Sequence, residues 1–537
     1  MQVIELTLVL LLLTAAGGVL VRWTKIGLPI FLVLVGALAS LLPGLDKISI
    51  DPEVFLLLFI PPLLFADARV LPRSDLLKVL RPVLLLALGL VVLTVLAVGF
   101  FLHWLVPAMP LAVAFVLGAI VTPTDAVATM ATTHGLPLPQ RVSNIVNAES
   151  LLNDATGLVA FKLAVAAAAA ASAVRMPDLA TNFLVISGGG VVVGLVVEKL
   201  GRQLRETLIG AGADDPVLQT LLAVLVPYAA YLAAEALHVS GVLAVVIAGL
   251  WAGGKEVKGL SPDGRRHARE VWRMLAYIFN GLVFLLLGLQ LRHMLSAVGH
   301  YDAAWLAFLA LTLWAFLMAL RLAWVWASAH LRYRYHWGWS GGAAPPDPRR
   351  MFIVGWAAVR GSVTLATALS VPLLTAAGTP FPERDLVVFL AASTIVLTLL
   401  LNGLPLPWLL RRLQAPVDMD GQLEEAAARV AVAQAGIDAV QALLPQLQDP
   451  GQQNFVQQLV HRYQSKIKLR ESAPEAAAAQ ATRIATARRL RLVGIEAERG
   501  CLHRLHARNT INDETVRVIE QELDEREIVS SADPLRG

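Results

Sequence analysis

Apolar residues run for roughly 20 positions at a time, repeatedly, from Leu6 to Leu410, and polar residues are mostly confined to short breaks between the runs. A helix rises 1.5 Å per residue, so each run can cross a hydrocarbon core about 30 Å thick. About thirteen spans are predicted, centred near Leu12, Leu34, Ile60, Leu90, Leu117, Leu158, Val192, Val226, Val245, Leu285, Leu311, Thr364 and Leu397. From Gln414 the pattern changes. Ala, Gln, Arg and Glu dominate, and apolar residues return at helical spacing in 430–447, 455–469 and 484–495, which predicts a soluble helical tail. Val516, Ile519 and Leu523, spaced by three and four, suit packing on another helix. The expected architecture is an all-α polytopic membrane domain over 1–412 followed by a tail over 413–537, whose role is regulation, oligomer contact or simple stabilisation.

Composition removes other classes. Of 537 residues, 57% are hydrophobic and 16% charged, which excludes a soluble enzyme with a dry core. The net charge of +4 hides two parts: 1–414 holds 29 Lys+Arg against 22 Asp+Glu, whereas 415–537 holds 15 against 18. The basic excess lies in short loops beside apolar helices, where it sets topology, so nucleic acid is not an expected partner. Arg22/Lys25, Arg69/Arg73/Lys78/Arg81, Lys199/Arg202/Arg205, Arg265/Arg266/Arg269/Arg273 and Arg332/Arg334/Arg349/Arg350 fall on one side, which is expected to be cytoplasmic. An odd span count then puts the N-terminus outside and the C-terminus inside. The single cysteine, Cys501, forms no intrachain disulfide. The first apolar run lacks a basic flank and is expected to be a retained helix rather than a signal peptide.

Charge inside a span is expensive, so ionisable residues there are the default functional candidates. They cluster in Thr122-Pro-Thr-Asp125 of the fifth span and Asn147-Ala-Glu-Ser-Leu-Leu-Asn-Asp154 of the sixth, with Arg360 in the twelfth. Ser150, Asn153 and Asp154 are three and four apart and share a helical face. A carboxylate, a carboxamide and a hydroxyl form a hard-oxygen set that suits an alkali cation and not zinc or copper. Desolvation favours the protonated form of such a carboxyl, so one Asp could serve cation and proton in turn. Asp154 by itself also fits a buried polar residue satisfied by helix packing. Pro123 removes a backbone donor and disfavours helix at Thr122, and Gly361 could interrupt the twelfth span in the same way. Irregular backbone at membrane depth belongs beside a cavity, and interruptions at matching places in two halves point to a transport site. Gly118 stands seven before Asp125, and Gly355 seven before Ser362. Spans one to six and eight to thirteen would then be inverted repeats joined by the seventh.

The set Phe59-Ile-Pro-Pro-Leu-Leu-Phe65, Thr122-Pro-Thr-Asp125, Asn147 to Asp154, Phe279-Asn-Gly-Leu-Val-Phe284 and Val359-Arg-Gly361 resembles the monovalent cation:proton antiporters, in the bacterial sodium/proton exchanger branch. The likeness spans residues 1 to about 412. It implies a homodimer of thirteen-span protomers in the plasma membrane, each with a dimerisation region and a core whose two unwound helices cross at the ion site. By motif, Asp154 resembles the essential carboxylate, with sodium at Asp154, Ser150 and Thr124. Asn153 stands where the electrogenic branch has a second Asp, so the Asn-Asp pair resembles the electroneutral type, exchanging sodium or lithium for a proton in pH and sodium homeostasis. Asp125 resembles a residue that holds the ion or the unwound strand, and Asp67 one that lines the inner funnel. Glu149 and Arg360 resemble the family's structural ion pair.

Other readings remain open at this level. Oxygen ligands do not separate sodium from potassium, so potassium/proton exchange is an alternative. So is a channel or ion sensor, although the polar residues are gathered in three spans rather than in a ring. Lys162, eight residues after Asp154, is either its charge partner or a snorkelling side chain. His134, just after the fifth span, is the first candidate for a pH sensor. Gly338-Trp-Ser-Gly-Gly342 matches G-x-S-x-G but lacks the strand-turn-helix setting of a hydrolase, and no H-E-x-x-H or P-loop is present. No enzymatic chemistry and no cofactor are therefore expected.

Overall fold

The computed structural model describes residues 2–24, 27–42, 52–71, 73–133, 136, 138, 140–169, 176–254, 257–334, 347–375, 378–413, 419–447, 449–471, 474–508 and 510–531. The chain forms two compact units, Met1–Val417 and Asp418–Gly537. The first opens with α1 (Gln2–Thr24), α2 (Leu28–Ala39) and α3 (Pro52–Val70). Next, α4 (Arg73–Leu84), a π-helical turn (Leu85–Leu90) and α5 (Val91–Leu105) run on without a break. The following passage is interrupted: α6 (Leu111–Ile120) and α7 (Ala126–Thr132) are separated by the non-helical residues 121–125. Then come α8 (Gln140–Ala169), α9 (Met176–Gly210), α10 (Pro216–Ala236), α11 (Gly241–Gly253), α12 (Pro262–Ala297) and α13 (Ala303–Arg334). A second interruption, 357–361, divides α14 (Pro348–Trp356) from α15 (Ser362–Leu369). The unit closes with α16 (Arg384–Leu397), a second π-helical turn (Thr398–Gly403) and α17 (Leu406–Leu413).

With each interrupted or continued set of the first unit taken as one passage, thirteen remain among the described residues, as the hydropathy predicts. The two interrupted passages are each the fifth of six, on either side of α9, which is the placement expected of paired repeats. Among the described residues, eight helices are long and apolar enough to cross a membrane. One of these, over 424–446, belongs to the second unit. Its apolarity comes from alanine together with Val430, Val432, Ile437, Val440, Leu443 and Leu444, and it buries Ile437 against Val456 and Val460.

Small residues let the helices touch backbone to backbone, as membrane packing requires. A Cβ on Gly36 of α2 would lie 2.2 Å from the Leu285 carbonyl oxygen of α12, and one on Gly288 of α12 would lie 2.2 Å from the Val33 oxygen of α2. In α9, Gly190 and Gly194 press on the Ser240 and Ala244 carbonyls, whereas a Cβ on Gly188 would meet nothing within 4 Å among the described residues.

In the second unit, α18 (Met419–Leu443) packs on α19 (Pro450–Glu471), and α20 (Pro474–Ala507) on α21 (Asp513–Ser531). Leu523 is buried with Ile495 and Leu502, and Val516 packs against them, whereas Ile519 is exposed. Ion pairs Arg499–Asp524 and Arg526–Glu498 join the latter two helices at the surface, where such pairs contribute little.

Candidate functional site

The site is built where the two interruptions meet. Without a helix to satisfy them, residues 121–125 and 357–361 bond to each other: the Asp125 amide donates to the Val359 carbonyl at 2.7 Å. The approach is so close that a Cβ on Gly361 would lie 1.8 Å from Asp125 Oδ2, so only glycine fits there. Four half-helices thus point their ends at one another, and the charged residues complement the dipoles. Asp125 caps the N-terminus of α7, with Oδ1 accepting from the Ala128 amide at 2.8 Å, and Oδ2 receives the Ser362 amide of α15 at 3.4 Å. At the C-terminal ends of α6 and α14, Arg360 Nε donates to the Val121 carbonyl at 3.1 Å and Nη1 to the Ala358 carbonyl at 2.9 Å. Asn402, in the second π-helical turn, donates Nδ2 to the Trp356 carbonyl at 3.2 Å and accepts from Trp314 Nε1 at 3.0 Å.

The α8 helix holds the first interruption from the side. Ser150 Oγ donates to the Thr124 carbonyl at 2.6 Å and accepts from the Ala126 amide at 3.2 Å. Asn153 donates Nδ2 to Thr124 Oγ1 at 2.8 Å, and its Oδ1 receives the Thr124 amide at 3.4 Å. The carboxamide of Asn153 is therefore occupied by the strand, and Asn153 is not among the residues lining the cavity. Three residues after Ser150, it meets the same strand.

The cavity itself is lined by Asp67, Thr124, Asp125, Ser150, Asp154 and Asn280, among others, and its volume of about 20 Å³ suits one water-sized particle. Asp67 is exposed, one turn before the end of α3, while Asp154 is only 6% exposed. Asp154 Oδ1 is buried with no hydrogen-bond partner among the described residues. A buried ionised carboxylate without a donor is unfavourable, and a bound cation or proton would supply what is missing.

The expected Glu149–Arg360 ion pair does not form. Glu149 is held by both terminal nitrogens of Arg321 from α13, with Nη2 2.8 Å from Oε2. Both side chains are buried, at 1% and 3% exposure. Glu149 lies five residues before Asp154, about 140° around the helix. Arg360 instead sits among freed carbonyls that use its donors. Arg321 also donates to the Gly355 and Val354 carbonyls, tying α8 to the end of α14. An arginine within the apolar run 303–331 was the signal that could have revealed it. Asn280 was likewise legible only as part of a motif, with no role attached. Lys162 pairs with Glu235 at 2.6 Å with both groups solvent-accessible, which sets it apart from Asp154. His134 and the Gly338–Gly342 motif lie outside the described residues.

Comparison with known proteins places this geometry. Residues 8–412 match the family described as sodium/hydrogen exchanger, transmembrane. The chain belongs to this exchanger family. An uncharacterized Na(+)/H(+) exchanger, YjcE, of Escherichia coli K12 is 35% identical over 98% of both chains. A sodium, potassium, lithium and rubidium/H(+) antiporter of Bacillus pumilus is 36% identical over 79% of this chain and 64% of its own. The solved structure of the sodium proton antiporter MjNhaP1 from Methanocaldococcus jannaschii superposes with a TM-score of 0.62 at 20% identity, covering 78% of this chain and all of that one. The exchanger is thus a multi-pass membrane transporter that couples cation and proton movement in opposite directions.

Proposed function

We propose that the exchanger carries one sodium or lithium ion against one proton by alternating access, with Asp154 binding either ion in turn. The observation that carries this reading is the unpartnered Oδ1 of Asp154, buried on the wall of a cavity with room for one small particle. Competition of two ions for one carboxylate is sufficient to couple their fluxes. Asn153 leaves no second acidic group beside Asp154 on that helix, and the buried Glu149 charge is cancelled by Arg321. A one-for-one exchange moves no net charge and so avoids the ~2.3 kcal/mol that each charge moved against 100 mV would cost. Thr124 and Ser150 support the site through the strand they brace. Asp125 caps α7 at the crossing, Asp67 gives the cavity an accessible acidic wall, and Arg360 holds the two half-helix ends.

In this reading the protein works as a homodimer in the plasma membrane, with the N-terminus outside and the C-terminus in the cytoplasm, in pH and sodium homeostasis. The second unit would regulate it from the cytoplasm. Potassium/proton exchange is the second reading, favoured by the range of ions in the name of the Bacillus pumilus relative.

Purified protein in liposomes with an imposed pH gradient tests the proposal. Sodium and lithium should dissipate the gradient equally with and without a clamped voltage. Potassium preference would move the protein to the second reading, and voltage-dependent rates would refute the stoichiometry. Asp154→Asn keeps the shape and should abolish exchange; undiminished transport by that variant would falsify the assignment of the carboxylate.

A further inference from the structure

We propose that Asn280 is a ligand of the transported cation and sets which alkali ion the site prefers, an inference that rests on the antiport reading above. The polar side chains around the cavity divide into two sets. Asp125 is taken by the Ala128 and Ser362 amides, Ser150 bonds to Thr124 and Ala126, and Thr364 donates to the Pro123 carbonyl. Asn280 lines the same cavity, yet among the described residues its carboxamide meets no hydrogen-bond partner. It comes from α12, whereas Asp154 comes from α8 and Asp67 from α3.

Asn280 also borders a second cavity of about 140 Å³ with Leu28, Leu32, Val127, Ala276 and Phe284 on its walls. The Tyr277 hydroxyl, which also lines it, donates to the Thr14 carbonyl at 3.4 Å. Such walls offer a half-buried amide little besides that hydroxyl, and an amide left without a partner is costly. On the cation side it finds a carboxylate and an ion to solvate. Its Oδ1 is a neutral hard-oxygen acceptor of the type alkali cations take. A neutral ligand adds affinity without adding a titrating group, so the exchange ratio is unaffected. In a cavity that admits one water-sized particle, the smaller ions gain most from an extra oxygen, because ligand number and cavity size together decide alkali selectivity.

Proteoliposomes with an imposed pH gradient, titrated with sodium, lithium and potassium, test this for the parent protein, Asn280→Leu, Asn280→Asp and Asp154→Asn. Leucine matches the size of the side chain and suits the apolar flank while removing the oxygen. Losing one charge-assisted ligand should raise the apparent KM for sodium and lithium about tenfold, with a clearly smaller change for potassium and an unaltered maximal rate. Asn280→Asp should restore the sodium KM and add a titration to the pH profile, which a spacer role would not do. An equal shift for all three ions, or no shift, in a variant that melts at the parent temperature would overturn the proposal. If Asn280→Leu fails to fold, a pH profile of Asn280→Asp identical to that of the parent overturns it alone. Loss of transport in Asp154→Asn keeps the antiport reading standing in each of those cases; full activity there would remove that reading and this one together.

Discussion

Glu149 and Arg321 show how much hangs on which arginine meets which carboxylate. Breaking a buried pair leaves one charge unpaired and costs ~3–5 kcal/mol. Arg321→Ala should therefore lower thermal stability sharply, and adding Glu149→Ala should recover part of the loss, so that a double-mutant cycle shows strong coupling. The same cycle between Glu149 and Arg360 should show much weaker coupling, because the Arg360 donors go to the Val121 and Ala358 carbonyls. Comparable coupling in the two cycles would mean that the pairing is shared. Gly361 is constrained in a different way. Gly361→Ala puts a methyl group on Asp125 and must open the crossing, at a cost of ~1–3 kcal/mol for overpacking. Its transport rate should fall much further than its folded yield, which gradient dissipation and size-exclusion chromatography would separate.

At the scale of elements, the protein interrupts two helices and widens two others. Each interruption frees backbone groups that a membrane cannot solvate. The neighbouring elements supply their partners: α8 through Ser150 and Asn153, and the second π-helical turn through Thr398 and Asn402. The first π-helical turn offers a free carbonyl in the same manner, at Ala87, which accepts from Thr156 of α8 at 2.7 Å. π-Helical turns are rare and gather at functional sites. Here they place side chains and carbonyls that a regular helix would turn away. Asn402→Leu should leave the Trp314 indole unpartnered, at ~1–3 kcal/mol, and take one of two donors from the Trp356 carbonyl, which keeps the Ala358 amide at 2.7 Å. The expected result is a lower melting temperature with reduced exchange, and Asn402→Gln should rescue little, since its longer side chain misplaces both bonds. A melting temperature equal to that of the parent would show that water replaces those bonds.

For the whole molecule, the division at Val417 separates a transport unit from a second helical unit, each with its own buried cluster. A chain ending at 417 should keep its apparent sodium affinity in liposomes; loss of affinity would show that the second unit completes the site rather than accompanying it. What was legible along the chain was what period and composition record. Thirteen apolar runs set the number of passages, since only helices of that length satisfy their own backbone in lipid. Pro123 and Gly361 marked the two interruptions, and Asp154 stood out because a carboxylate inside an apolar run is rarely idle. Partner choice was not legible. Arg321 lies 172 residues from Glu149, and Asn280 lies far in sequence from Asp154. Asn153 shares a helical face with Asp154, and its carboxamide bonds to Thr124 of another helix passage. Local sequence records which groups must be satisfied inside the membrane; only the packing of distant helices decides which group satisfies which, because that depends on distances the chain does not encode locally.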